Sequence, residues 1–313
     1  MPYAKGVHAK THLFNPEGTT AIKNPYLECM NHRLKSLLQK TNLYHPLQSS
    51  YRSSRAWLSR QYYKLTFRRY KGAGFTCNFC GAVYQKFVPG YPGPDIAPAL
   101  ENNHVIAGFG DNVYCPRCLS KNRERLIKAV IERHLALNTK TRILHFSPEK
   151  NLYRWLSRTA AAAGATVTTA DTAPRFYTSI DPHIRYADAT RLTFDDNSFD
   201  LLIANHILEH IPDDKKAMRE MHRVLVPNGI AILQVPYSQI LRDTLEEPSI
   251  DDPKRQAALF GQQDHVRIYA FDDYLRRLKA AGFTVRVLTP EDLAGFRIFA
   301  TQPTESVFLC YKR

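Results

Sequence analysis

Two cysteine pairs, Cys77-x2-Cys80 and Cys115-x2-Cys118, carry the plainest chemistry in the sequence. Each pair can set two thiolates on one tight turn, and two such turns make a tetrahedral four-sulfur zinc site. The 34 residues between the pairs exceed the usual spacing, so a zinc-ribbon-like module here must carry a long insertion. Two disulfides are the alternative, disfavoured in a cytosolic compartment. Four thiolates leave a metal no open position, so the zinc expected here is structural. Cys29 and Cys310 read as ordinary thiols.

A second constellation lies further along. Arg142 to Glu149 reads as strand, turn and helix, with Ser147 able to cap and Pro148 at the first helical position. Such a turn leaves backbone N–H groups free at a helix N-terminus, a ready site for an anion or carboxylate. Asp171 follows a second strand, 24 residues after Ser147, where an acid can hold a ribose diol. The glycine-rich phosphate fingerprint is missing, which points to a ligand without a pyrophosphate.

The run Asp188-Ala189-Thr190-Arg191-Leu192-Thr193-Phe194-Asp195-Asp196-Asn197-Ser198-Phe199-Asp200 continues through Asn205-His206-Ile207-Leu208-Glu209-His210-Ile211-Pro212-Asp213 to Met221-His222-Arg223-Val224-Leu225-Val226-Pro227-Asn228-Gly229-Ile230. This ordered set resembles class I S-adenosylmethionine-dependent methyltransferases, specifically the methyltransferase-11-like domain. The likeness spans roughly residues 141–313. It extends to a subgroup with an N-terminal four-cysteine module and a Phe-Ser-Pro-Glu type first turn. The resemblance implies a Rossmann-like, doubly wound α/β sheet that binds S-adenosyl-L-methionine. By position, the first turn (His145, Phe146, Ser147, Glu149) would pack against the methionine moiety and Asp171 would accept from the ribose hydroxyls. Asp188 would meet the adenine amino group, Ala189 would supply a backbone N–H, and Asn205 would lie beside the transferring methyl. The departure is the first turn, where the family has Gly-x-Gly and this chain has Ser147 and Pro148.

A sulfonium methyl is already electrophilic, so such an enzyme mainly aligns an acceptor, and a hydroxyl acceptor also needs a base. His206 and His210 fall i, i+4 on a helix expected over residues 206–224, just past the carboxyl end of the fourth strand of the implied fold. Glu209 is expected to face solvent or cap that helix. His265 with Arg267 and Tyr269 sits in a polar stretch after the fifth strand, and Tyr237 opens the loop leading to it. The catalytic candidates are therefore His206, His265 and His210; the acceptor-side candidates are Arg267, Tyr269 and Tyr237.

Strand and helix patterns must place these groups. Short apolar strands are expected at residues 142–146, 166–170, 199–204, 229–235, 283–288 and 306–311, with helices at 119–137, 148–163, 206–224 and 271–281. Alternation of the two argues for a parallel sheet covered on both faces. The polar stretch from Tyr237 to Asp264 reads as an acidic lid bearing Asp243, Glu246, Glu247, Asp251 and Asp252.

The net charge of +14 in 313 residues is unevenly spread. Residues 1–75 hold thirteen Lys/Arg against Glu17 and Glu28, so they carry +11 and the other 238 residues only +3. The expected organisation is a basic, partly helical extension (1–75), a zinc-ribbon-like module with a connecting helix (76–140) and a methyltransferase domain (141–313). Within the extension, Tyr51 to Lys71 reads as a basic amphipathic helix that could meet RNA or an anionic membrane surface. Phe75, Phe79, Tyr84 and Phe87 could add stacking surfaces for RNA. An acidic lid would repel a polyanion, which favours a small polar or saccharide-type acceptor; RNA methylation and a non-catalytic binding protein are the alternatives. No apolar run approaches a transmembrane span and no secretory signal is visible, so a cytoplasmic protein is expected.

Overall fold

The computed structural model describes residues 44–313. They divide between Arg69 and Tyr70 into two compact units. In the first, helix α1 (Tyr44–Thr66) carries Arg52, Arg55, Arg60 and Lys64, and it exposes Trp57, Leu58, Tyr62 and Leu65. The basic helix expected over Tyr51 to Lys71 thus ends at Thr66. Residues 1–43 of the basic extension, Cys29 among them, lie outside the described residues. No helix of the described residues is long and apolar enough to cross a membrane.

The second unit opens with the cysteine-bearing segment. Cys77 and Cys80 sit on the turn between the antiparallel strands β1 (Lys71–Thr76) and β2 (Val83–Tyr84). Strand β3 (Val88–Gly90) pairs with β5 (Gly110–Tyr114), and between them come α2 (Ala97–Asn102) and β4 (Val105–Ile106). Cys115 and Cys118 follow β5 and lead into α3 (Asn122–His134).

The large sheet then forms from β6 (Arg142–Phe146), β7 (Thr166–Asp171), β8 (Arg185–Tyr186), β9 (Phe199–Asn205), β10 (Leu225–Gln234), β14 (Thr284–Leu288) and β15 (Val307–Tyr311). Its order is β14-β15-β10-β9-β6-β7-β8. All neighbours from β10 to β8 are parallel, and β15 runs antiparallel to both β10 and β14. Because its central strands are covered on both faces, they read as continuous apolar runs rather than alternating ones. Ile143, Ile203 and Ile232 pack against Leu126 and Val130 of α3 and against Leu152 and Leu156 of α4 (Lys150–Ala163). Leu144, Leu202 and Leu233 face the other way, against Met218 and Met221 of α5 (Asp214–Val224) and Leu278 of α7 (Phe271–Ala280). The helix that follows the cysteines is therefore part of one layer of the sheet.

Two expectations need correction. The helix expected over residues 206–224 is broken: His206 takes a left-handed φ of 58°, Leu208–His210 is a single 3-10 turn, and α5 begins only at Asp214. Pro212 accounts for part of this, since the residue before a proline is pushed out of the helical region, and Ile211 is extended. The expected lid is also structured. It contains β11 (Tyr237–Ser238), β12 (Leu245–Glu246) and α6 (Pro253–Phe260), and it leads into β13 (Arg267–Ala270). These strands form a second sheet, β12-β13-β11-β4, whose last member comes from the insertion between the cysteine pairs.

Candidate functional site

The chain builds β6, β7 and β8 outward and then returns to place β9 on the other side of β6. Ligands of open α/β sheets bind in the crevice outside the carboxyl ends of the strands at such a switch point. The register sets its contents. His145 lies opposite Ile203 of β9, and Phe146 opposite Ala170 of β7. One step on, Ser147 stands level with Asp171, and Asn205 stands two steps beyond Ile203, so three polar side chains share one edge. Ser147 and His206, the residues just past β6 and β9, both have left-handed backbones, with φ of 44° and 58°. Non-glycine residues held there cluster at functional sites.

Ser147 does not cap a helix. Its hydroxyl donates to the Asp171 carboxylate, and Asp171 also accepts from the Ala173 N–H at 2.6 Å. Helix α4 starts at Lys150 with Glu149 as its N-cap residue. Nor are its first amides free for a ligand. The Glu124 carboxylate, from α3, accepts the Asn151 and Leu152 N–H groups at 3.1 and 3.3 Å, and that of Lys121 at 2.7 Å. The chain's own carboxylate fills the expected anion site. Beyond β8, Asp188 accepts from the backbone N–H and the hydroxyl of Thr190, both at 2.8 Å, and Ala189 is buried.

Behind this edge lies a buried polar cluster. Glu149 accepts from Asn205 Nδ2 at 2.6 Å, faces His145 Nε2 at 3.3 Å and pairs with Arg123 Nε at 3.7 Å. Burial alone would raise the Glu149 carboxyl, but His145 and Arg123 outweigh it and hold it below the usual carboxylate range. Glu209, expected to face solvent, is completely buried among the three candidate histidines. Its Oε1 lies 3.5 Å from His206 Nδ1, 4.0 Å from His210 Nε2 and 3.9 Å from His265 Nε2.

Burial pushes the Glu209 carboxyl up to about 7, pulls His206 well below its usual value and takes His265 down to about 3. His210 is raised: its burial works against this, and the adjoining Asp264 and Glu209 prevail. Within the cluster, Arg123 Nε, His145 Nδ1, Asn205 Oδ1, His206 Nε2, both Glu209 oxygens and Glu305 Oε2 have no hydrogen-bond partner. A buried orphan costs about 1–3 kcal/mol, so seven in one place mark a surface built for something else to complete.

The three histidines named from sequence lie together in the structure, but His206 and His210 do not share the helix face expected of them. Sequence reasoning missed Arg123, Glu124 and Glu305. Arg123 could have been found only by recognising that the cysteine segment delivers α3 to the sheet.

The acceptor-side candidates serve the scaffold instead. Arg267 is fully buried, donating to the carbonyls of Leu208 (2.9 Å), Ile211 and Pro212 (2.8 Å) and to Glu246 (2.9 Å). The Tyr269 hydroxyl donates to Asp214 at 2.7 Å, and that of Tyr237 accepts the Ser306 N–H at 2.8 Å. The acids of the expected lid are also engaged: Glu246 pairs with Arg267 and Arg277, Glu247 with Arg255, and Asp252 caps α6. Asp243 and Asp251 stay exposed, so the segment keeps part of its acidic character.

The four cysteines converge as expected, with Cys77 and Cys118 sulfurs 3.6 Å apart and those of Cys80 and Cys115 3.7 Å apart. Disulfide sulfurs would be about 2.05 Å apart, whereas a tetrahedron of zinc–sulfur bonds of about 2.3 Å sets them about 3.8 Å apart. The Ser120 hydroxyl lies 3.3 Å from both Cys77 and Cys118 sulfurs. Arg125, fully buried, joins this segment to the C-terminal part of the fold through the carbonyls of Asn112, Val113, Ser120, Phe299 and Ala300. Phe87 and Tyr84 are buried too, with Phe75 and Tyr84 edge-to-face on Phe87. Tyr84 and Phe87 belong to the segment's core and offer no stacking surface to RNA; Phe75 and Phe79 are half-buried.

The methyltransferase domain family matches residues 152–233. Demethylmenaquinone methyltransferase of Staphylococcus epidermidis is 47% identical over 47 residues, 15% of this chain and 20% of that protein. The ubiquinone/menaquinone biosynthesis C-methyltransferase UbiE of Idiomarina loihiensis is 40% identical over 67 residues, 21% of this chain and 26% of that protein. The chain thus spans only about a fifth to a quarter of the length of these curated relatives. Among solved structures, an S-adenosylmethionine-dependent methyltransferase from Mesorhizobium loti aligns with a TM-score of 0.41 and 18% identity, covering 60% of this chain and 98% of that one. Sheet order and switch point give residues 142–311 a Rossmann-like, doubly wound α/β fold, and residues 152–233 within it match the methyltransferase domain family.

Proposed function

We propose that the chain is an S-adenosylmethionine-dependent methyltransferase that methylates a hydroxyl oxygen of a small polar or saccharide-type acceptor. The observation that carries this reading is the set of orphaned buried polar atoms beside the switch point. A non-catalytic scaffold would have no use for their cost. The proposed organisation is a basic extension, a zinc-bearing module and a methyltransferase domain.

The residues fit the cofactor. Asp171 and Asn205 stand on strands flanking β6, and Asn205 Oδ1 has no partner. Ser147 supplies the left-handed backbone a glycine would provide, so the missing Gly-x-Gly changes the side chain at the turn and not its path. Phe146, Ser147, Asp171, Asp188, Ala189 and Asn205 would hold the cofactor, with His145 and Glu149 behind them. When bound, S-adenosylmethionine supplies a methyl made electrophilic by its sulfonium.

The chain's own groups orient the acceptor and move its proton. His206 Nδ1 faces Glu209 at 3.5 Å, and a proton held there leaves the Nε2 lone pair free. Nε2 has no other partner, so it takes the acceptor proton. His210 and His265 instead turn Nδ1 to Asp264 and to the Phe260 carbonyl. Cys77, Cys80, Cys115 and Cys118 would hold a structural zinc ion, supported by their sulfur spacing. Elemental analysis should find one equivalent of zinc.

Titration calorimetry with S-adenosylhomocysteine tests the cofactor reading. Asp171→Ala should weaken binding about 10- to 100-fold through loss of charge-assisted hydrogen bonds. No binding by the wild type would refute it.

A further inference from the structure

We propose that Glu209, His210 and His265 form a second metal site, one that takes a divalent first-row cation and is distinct in place and chemistry from the four cysteines. One ligand atom from each of the three lies within 4.8 Å of the others. Glu209 Oε1 is 4.0 Å from His210 Nε2 and 3.9 Å from His265 Nε2, and the two rings meet edge-to-face with centroids 4.6 Å apart.

Each ring is oriented from behind. His210 Nδ1 faces the Asp264 carbonyl at 3.2 Å and its carboxylate at 3.4 Å, while His265 Nδ1 faces the Phe260 carbonyl at 3.3 Å. Protons held on both Nδ1 atoms leave both Nε2 lone pairs facing the Glu209 carboxylate. Metal-bound histidines are oriented in this way by an outer oxygen acceptor.

The independent sign is Glu209 itself. Its side chain is 1% exposed, and neither oxygen has a hydrogen-bond partner. A buried carboxylate that accepts no hydrogen bond is costly, and a cation held between it and the two Nε2 atoms would offset that cost. Arg123 does not fill that role, because it pairs with Glu149.

Two imidazoles and one carboxylate are the donor set of a facial triad that leaves positions open for an oxygen ligand. Ligand bonds of about 2.1 Å place neighbouring donors about 3.0–3.4 Å apart, so each side chain needs to close by well under about 1 Å. The site is held ready for this. The Val266 N–H donates to the Glu209 carbonyl at 3.0 Å, and Arg267 pins the carbonyls of Leu208 and Pro212 on either side. On the methyltransferase reading, the cation's role would be to bind the acceptor oxygen and lower the pKa of its hydroxyl. That role rests on the reading; the site does not.

Mn(II) is the suitable probe, because thiolates favour zinc and carboxylate–imidazole sets accept manganese. The full chain, its sulfur-bound zinc verified by elemental analysis, would be titrated with Mn(II) while the free ion is followed by electron paramagnetic resonance. The wild type should bind one equivalent. Glu209→Gln and His265→Gln should each weaken it about 100-fold or more, and Asp264→Asn, acting from behind, about tenfold. A wild type that takes up no Mn(II), or a Glu209→Gln chain that binds it as the wild type does, overturns the site. Calorimetry with S-adenosylhomocysteine on the same samples separates the two ideas. Cation binding without cofactor binding keeps the site and removes its methyl-transfer role; cofactor binding without the cation does the reverse.

Discussion

Glu124 shows how one carboxylate can redirect a ligand pocket. A helix N-terminus at a βα turn ordinarily offers its amides to a phosphate. Here Glu124 accepts two of those hydrogen bonds, from Asn151 and Leu152, together with that of Lys121 at the start of its own helix, and its charge also complements the positive end of the α4 dipole. Glu124→Ala should therefore cost about 1–3 kcal/mol, read as a lower urea midpoint at unchanged slope. An unaffected midpoint would mean that water replaces the carboxylate freely.

Glu149 gives the pH test at the same scale. Its carboxyl is held low in the folded chain, so the unfolded chain takes up the proton first as pH falls. The resulting stabilisation is present above the ordinary glutamate value of about 4.3 and is lost as pH drops through the lower native value. Wild type should lose more unfolding free energy than Glu149→Gln between neutral pH and the acid side of that window. Equal losses in denaturant unfolding at both pH values would remove Glu149 from the account.

Among the elements, the strands of the large sheet were legible because burial on both faces leaves an unbroken apolar signature. Residues 142–146 are β6 as read, and the strand read at 199–204 ends one residue later at Asn205. The region from 206 to 270 was less legible for two physical reasons. Ile207, Leu208 and Ile211 match helical periodicity, but Pro212 and the left-handed His206 override it. Strands β11 and β12 are two residues each, too short for any period, and β11 pairs with β4 from more than a hundred residues upstream. Long-range pairing of that kind leaves no local trace. The histidines were visible in the sequence because residue type marks them, while the burial of Glu209 was missed along with the break in the helix meant to carry it.

The same elements tie the cysteines to the site. Helix α3 starts at Asn122, shortly after Cys118. Within its first turn Arg123 reaches Glu149, Glu124 caps α4 and Arg125 fills the core. If the four cysteines hold the proposed zinc, stripping it with a chelator should thus lower the thermal midpoint by about 5 °C or more and also weaken S-adenosylhomocysteine binding. A midpoint that falls with cofactor affinity unchanged would confine the cysteines to local stability.

For the molecule as a whole, the telling quantity is where its charge lies. Residues 1–75 carry +11 of the net +14, so the part that would attract a polyanion is not the part that holds the buried polar site. Helix α1 combines Arg52, Arg55, Arg60 and Lys64 with exposed Trp57, Leu58, Tyr62 and Leu65, a pattern suited to RNA or to an anionic membrane surface. Of the aromatic residues beside the cysteines that would have extended an RNA surface, Tyr84 and Phe87 are buried, while Phe75 and Phe79 are half-buried. These facts separate recognition of an anionic partner from choice of acceptor. Replacing the four cations of α1 with Gln in the full chain should lower the slope of log affinity for single-stranded RNA against log salt by about 3, at close to about 0.7 per charge. For vesicles containing anionic lipid the same change should remove about 1 kcal/mol per cation near the surface. Cofactor binding and methylation of a small hydroxyl acceptor should not change in either case. If methyl transfer to RNA is found in the wild type and disappears with RNA binding in the variant, then α1 delivers the substrate itself, and the small-acceptor reading gives way to an RNA methyltransferase.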